Sequence, residues 1–222
     1  MAQSMNLKPF YVVLGVIAIA GAVWMVSERG GGTITLPVTT TTAAFPGYVL
    51  GSDTAKVEVI EYVDFQCPVC ATFTILTVPD IKAKLVNTGR IRWVFRDYPV
   101  PEIHDKAVLA HLVAACAADQ GKFWEMHDQL FYNQGAWVNS RRPRGLFDDY
   151  GRAIGLEMGS YDTCVDERRH LDRITATKNA GAQLGVSGTP NLIVGNQLIG
   201  GAIGYPELLR LVEEAERVAN QE

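Results

Sequence analysis

Cys67-Pro68-Val69-Cys70 is the group of residues in this chain best suited to covalent chemistry. Two cysteines separated by two residues, at the start of a helix, form a redox pair with unequal members. Residues 57–63, Val-Glu-Val-Ile-Glu-Tyr-Val, are rich in β-branched and aromatic types and read as a buried strand leading into the motif. From Pro68 to Val86 apolar residues recur at helical spacing, with Pro68 suited to the first turn. The Cys67 thiolate is then expected to face solvent, stabilised by the positive end of the helix and its unpaired N–H groups. Cys70, one turn deeper, would attack a mixed disulfide and release the substrate. The competing chemistry is half of a zinc site, which needs a second ligand pair at comparable spacing. Cys116 and Cys164 are far apart, and neither has a histidine three or four residues away, so no metal site is expected.

A second segment makes the reading specific. Gly188-Thr189-Pro190 precedes the short apolar run 191–194, a Gly195-Asn196 turn and residues 197–199, which together predict a β-hairpin. The tetrad and this hairpin resemble the thioredoxin superfamily, most closely its DsbA/DsbG-like branch. The resemblance rests on the strand–motif junction at 61–70, on Phe123-Trp124-Glu125-Met126-His127-Asp128, and on 185–190, and it runs from about Gly47 to the C-terminus.

It implies an α/β thioredoxin fold with an inserted helical subdomain, and thiol–disulfide oxidoreductase activity without a cofactor. It further implies that Pro190 is cis and that Thr189 and Pro190 pair with the substrate backbone beside the sulfur. Val69 departs from the histidine found between the cysteines of the most oxidising members, which predicts a weaker oxidant. Thr189 is the residue of isomerase-type relatives, but those carry a separate dimerisation domain, and the tether before this domain is too short to be one.

The remaining elements follow in order. Pro79 is expected to kink the first helix. Residues 91–97 form the next strand, and about 102–184 carry helical patterns at 105–119, 122–132 and 161–184, the last ending at Gly185. By the resemblance this section is the helical insertion. An amphipathic helix beginning at Pro206 closes the chain, with Leu208, Leu211, Val212 and Ala215 on one face.

Glu61 lies inside the buried strand, six residues before Cys67, where an ionisable group is costly. The resemblance assigns it a proton relay to the buried cysteine; the rival placement is a wet strand edge. Asp64 is expected to form the turn that follows. In an oxidising compartment Cys116 and Cys164 would pair as a structural disulfide, such as DsbA-like proteins often carry, with a second exchange pair as the alternative. His104, His111, His127 and His170 are scattered and predict solvated or core-edge roles, and 141–144 reads as a basic surface loop.

The chain has 222 residues and a net charge of −4, which gives no electrostatic case for nucleic acid. Residues 10–26 are uncharged and apolar, close to the shortest run that spans a bilayer at about 1.5 Å per residue. Residues 1–27 are therefore expected to anchor the chain in a cell membrane with the N-terminus cytoplasmic, although a cleaved signal peptide is the alternative. Residues 28–48, rich in Gly and Thr, read as a tether, and 49–222 as the DsbA-like domain facing the periplasm or exterior.

The expected partners are exported protein thiols and disulfides, the lipid bilayer and, by the resemblance, a quinone-linked membrane oxidoreductase. Disulfide formation is the expected direction. A thiol reductase, and a non-catalytic subunit of a membrane complex, are the other readings.

Overall fold

Strand β3, Val57–Val63, is buried along nearly its whole length on both faces, and the sheet grows outward from it. The computed structural model describes residues 33–36 and 46–221. The membrane anchor expected at 1–27 lies outside them, and no described helix is long and apolar enough to cross a membrane.

The strands are β1 Thr33–Thr35, β2 Tyr48–Leu50, β3, β4 Ile91–Asp97, β5 Asn191–Val194 and β6 Gln197–Gly200. They form one six-stranded sheet in the order β1-β6-β5-β3-β4-β2. Among the described strands only β3 and β4 run parallel; the other neighbours are antiparallel. A parallel pair needs a crossover, and helix α1, Pro68–Leu76, begins it. Pro79 has no N–H to offer the carbonyl four residues back, and the helix breaks at Thr77 before resuming as α2, Val78–Ile81. A wide turn at Lys82–Val86 completes the crossover, with Asn87 N donating to Lys82 O at 2.9 Å.

One sheet face buries Val57, Val59, Trp93 and Leu192 against Phe73, Ile81 and Leu85 and against Leu208, Leu211 and Val212. The last three lie on the closing helix. The opposite face carries Ile60, Tyr62, Val94 and Ile193. An aromatic-rich third cluster joins the motif end of the sheet to the inserted helices through Phe65, Phe95, Phe123, Phe131, Trp137 and Phe147.

The insertion comprises α3 Ala107–Ala118, α4 Phe123–Tyr132, α5 Gln134–Val138, α6 Pro143–Ala153, α7 Met158–Asp166 and α8 Leu171–Gln183; the closing helix is α9, Tyr205–Ala219.

Three expectations need correction. The single helical run at 161–184 is two helices. Arg168 takes a left-handed conformation (φ 52°), Arg168 N donates to Val165 O and Arg169 N to Cys164 O. That pattern is a Schellman stop, usually marked by glycine and here made by arginine.

The tether at 28–48 is not all spacer. Thr33–Thr35 pairs with β6, Leu36 N donates to Asn196 O at 2.6 Å, and Leu36 is buried; Tyr48 opens β2 at the other sheet edge. Finally, the 141–144 segment is not simply a surface loop. Arg144 lies in α6 and its guanidinium meets Asp148, Asp162 and Asp166 at 2.7–2.8 Å, binding α6 to α7.

Helix α8 approaches the sheet through Gly181, where an added Cβ would lie 2.6 Å from the Tyr62 ring. Tyr62 is buried in turn, so the ring has little room to yield. Gly181→Val is expected to lose about 1–3 kcal/mol of unfolding free energy, read as a lower urea midpoint at unchanged slope. An unchanged midpoint would show that this close packing does not contribute to stability.

Candidate active site

The loop Asp64-Phe65-Gln66 carries the chain from β3 into α1, and side chains distant in sequence hold it in place. Asp64 forms the expected turn, with Oδ1 accepting from Gln66 N at 2.7 Å. It also does more: Oδ2 accepts from Val100 N and lies 2.8 Å from His104 Nδ1. Gln66 accepts from Lys106 N and donates to Asp105. Gln134 donates to the carbonyls of Phe65 (2.8 Å) and Cys67 (3.0 Å), clamping the entry to the motif from α5.

His111 and His127 are buried, and His111 belongs to this support. Phe65 N donates to its Nε2 at 3.5 Å, so Nδ1 carries the hydrogen that reaches Asp97 at 2.7 Å. Asp97 also pairs with Arg173 of α8 at 3.3 Å. The expectation of solvated or core-edge histidines therefore fails for His111 and His127, while His104 also supports the motif loop. Nothing in their local sequence points to the motif; the contacts arise from tertiary packing.

Cys67 is the N-cap of α1, in extended conformation, with Pro68 following it. Cys70 is fully buried one turn on, and both are free thiols. Cys67 does not face solvent openly as expected: it is 6% exposed. Its Sγ lies 3.3 Å from the carbonyl of Thr189, in the loop that carries the cis Thr189–Pro190 bond. Thr189 therefore lies beside the sulfur, and Pro190, next in the chain, is buried.

The two thiols differ sharply in acidity. Cys67 is lowered to about 5, chiefly by a hydrogen bond from the Cys70 side chain. Burial opposes this, while the Thr189 side chain and the backbone N–H groups of Cys70 and Val69 reinforce it. Cys70 is pushed well above the ordinary thiol range by burial, by its shared hydrogen with Cys67 and by the charge of Glu61.

Glu61 is in the central strand, not at a wet edge. It is 2% exposed and registers between Phe95 and Leu192 of the neighbouring strands. Its Oε1 has no hydrogen-bond partner among the described residues. Burial raises its carboxyl to about 8, with the Trp93 side chain and the Lys82 charge pulling back. A carboxyl poised near neutrality, electrostatically coupled to Cys70, has the acidity needed to exchange a proton with it.

Cys116 of α3 and Cys164 of α7 are joined by a disulfide across a sequence separation of 48. A bridge closing a loop of that length is worth about 4 kcal/mol in the chain-entropy model. It lies within the helical insertion, separate in the sequence from the tetrad.

The Glu61 shift has a consequence for stability. Because its folded pKa is raised, the folded chain holds a proton that the unfolded chain has released between about 4.5 and 8. Stability from this group is therefore full below about 4.5 and falls as pH rises to about 8. Glu61→Gln is expected to remove that fall. Its unfolding free energy relative to the parent should rise by a few kcal/mol between pH 4 and pH 9, measured by urea denaturation of the reduced chain. A difference that does not vary with pH would contradict the burial-raised carboxyl.

Comparison with known proteins agrees with this geometry. A family profile described as Thioredoxin matches residues 44–214. A Rickettsia prowazekii chain with the provisional name protein-disulfide oxidoreductase is 31% identical over 152 residues, covering 66% of this chain and 53% of that one. A Salinispora tropica chain named Na(+)/H(+) antiporter NhaA 3 is 35% identical over 147 residues, 66% of this chain but 21% of its own length. This chain thus spans between about a fifth and about half of these relatives. Among solved structures, Wolbachia pipientis alpha-DsbA1 superposes with a TM-score of 0.69 at 19% identity, covering 77% of this chain and 91% of that one, a likeness of fold. With its dithiol at a helix start, its cis-proline loop and a helical insertion between β4 and β5, the chain belongs to the thioredoxin family and shares the overall fold of the DsbA structure.

Proposed function

We propose that this chain is an extracytoplasmic thiol–disulfide oxidoreductase that forms disulfides in exported proteins through Cys67 and Cys70. The observation that carries the reading is the pair of free thiols one helical turn apart, Cys67 at the N-cap of α1 and Cys70 fully buried, an arrangement in which the Cys67 thiol is lowered to about 5. A thiol that ionises easily is a good leaving group, and stabilising it stabilises the reduced enzyme. The second effect drives electrons from substrate to enzyme, and the first speeds the step that expels Cys67.

The reaction begins from the Cys67–Cys70 disulfide. A substrate thiolate attacks Cys67 Sγ, the bond to Cys70 breaks, and Cys70 leaves as a thiolate that takes a proton from Glu61. A second substrate thiolate then attacks the substrate sulfur of the mixed disulfide and expels Cys67 as a thiolate. The substrate loses two electrons to the pair and gains one disulfide. In this reading Thr189 and Pro190 align the backbone of an extended substrate strand beside Cys67, supported by the 3.3 Å approach of the Thr189 carbonyl to its sulfur. Reoxidation requires an external electron acceptor, in this reading a quinone-linked membrane oxidoreductase.

A single-pass anchor at residues 10–26, with the domain on the periplasmic or exterior side, completes the proposal. Its support is the uncharged apolar run itself.

The test is oxidative folding of a reduced, unfolded secreted protein by the oxidised full chain. Cys67→Ala is expected to abolish the reaction, and Cys70→Ser to accumulate a mixed disulfide with substrate. Glutathione equilibration of the parent should give a potential nearer −120 mV than −270 mV, the strong-oxidant and thioredoxin ends of the scale, respectively, each approximate (~). A value at the thioredoxin end would overturn disulfide formation in favour of a reductase.

A further inference from the structure

The Cys116–Cys164 bridge lies beside His170, six residues past Cys164 and brought back by the Schellman stop at Arg168. Cys116 Sγ, Cys164 Sγ and a ring nitrogen of His170 all lie within 4.8 Å of one another. Asp119, at the C-terminus of α3, joins them: its Oδ2 is 2.9 Å from His170 Nε2 and 3.6 Å from Cys164 Sγ. Two sulfurs, an imidazole and a carboxylate are a donor set that tetrahedral zinc accepts.

The four side chains lie within small movements of a coordination sphere. With Zn–S near 2.3 Å and Zn–N and Zn–O near 2.0–2.1 Å, a tetrahedron has N···O edges of about 3.3 Å and S···O edges of about 3.5 Å. The 3.6 Å from Asp119 to Cys164 matches the second, and the 2.9 Å hydrogen bond from Asp119 to His170 needs to lengthen by about 0.4 Å to reach the first. The bonded sulfurs are the one pair that must separate, to about 3.8 Å. Their Cα atoms stand 5.8 Å apart, so side-chain rotation can open that distance.

We propose that reduction of the Cys116–Cys164 disulfide converts this bridge into a zinc site formed by Cys116, Cys164, His170 and Asp119. An external dithiol supplies two electrons, the S–S bond breaks, and each sulfur gains a proton. Zinc then binds the two thiolates as both protons leave. The histidine is partly exposed (19%) and gives the metal an entry path, whereas both cysteines are buried. Arg169, 3.8 Å from Asp119, is the competing cation, and Glu167 at 3.1 Å is positioned to keep it when the carboxylate turns to metal. In the oxidised chain the disulfide ties α3 to α7; in the reduced chain zinc would tie them through the same side chains.

The test uses the full chain carrying Cys67→Ser and Cys70→Ser, so that only the second pair can bind metal. After reduction with a phosphine, Co²⁺ is expected to bind once per chain, with tetrahedral visible bands and a sulfur-to-cobalt charge-transfer band, and Zn²⁺ to displace it. The oxidised chain should show neither band. His170→Ala and Asp119→Ala should each weaken Zn²⁺ binding at least about tenfold. Binding that ignores both substitutions, or no binding, would overturn the proposal. So would loss of the near-UV circular dichroism of the fold on reduction, because the ligands would then no longer be held together.

Discussion

Burying Cys70 makes its proton hard to lose, and that proton is what allows Cys67 to lose its own. The hydrogen bond from the Cys70 side chain is the largest influence lowering Cys67, and burial is the largest raising Cys70. The asymmetry between an attacking or leaving sulfur and a resolving sulfur therefore comes from depth, one helical turn into the core. The helix end contributes through the N–H groups of Val69 and Cys70, but as a smaller effect than the partner thiol.

Depth alone would not suffice if the motif could shift. The loop before Cys67 has few hydrogen-bonding partners of its own, and the inserted helices and the segment around 97–106 supply them. Asp64, Gln66, Gln134 and His111 satisfy backbone groups between Phe65 and Lys106, and His104 holds the Asp64 carboxylate. Phe65 fills the space behind the motif, its ring 5.1 Å from Phe95 and 5.0 Å from Phe131. The insertion is thus joined to the redox centre by polar contacts and aromatic packing at once, while the Cys116–Cys164 bridge fastens two of its helices to each other. Glu61 is the remaining strain in this arrangement: a carboxyl in the central strand, with one oxygen unpartnered among the described residues, close enough to influence Cys70.

The sequence made some of this plain and hid the rest for physical reasons. The central strand, the tetrad at a helix start and the 191–200 hairpin are local signals, written in β-branched runs, a CPVC spacing and a Gly-Asn turn, and they correspond to β3, α1 and the β5–β6 pair. The stop at Arg168 was illegible because its left-handed residue is not glycine. Strand β1 was illegible because Thr-Ile-Thr, set in a Gly/Thr-rich stretch, gains strand character only by pairing with β6. Gln134 and His111 reach the motif only through tertiary packing, so no spacing in the chain pointed to them. His170 is the same case: its distance from Cys164 in sequence argued against a shared site, and the reversal at Arg168 brings the two together.

The account stands most directly on the ionisation of Cys67. Its thiolate can be followed in the reduced full chain by ultraviolet absorbance across a pH titration, with alkylation and mass analysis assigning the signal to Cys67 rather than Cys70. A midpoint near 5 at Cys67, with Cys70 still unmodified well above neutrality, is the predicted result. A Cys67 midpoint at the ordinary thiol value of about 8.5 would contradict it, because the burial of Cys70 would then confer no advantage on its partner.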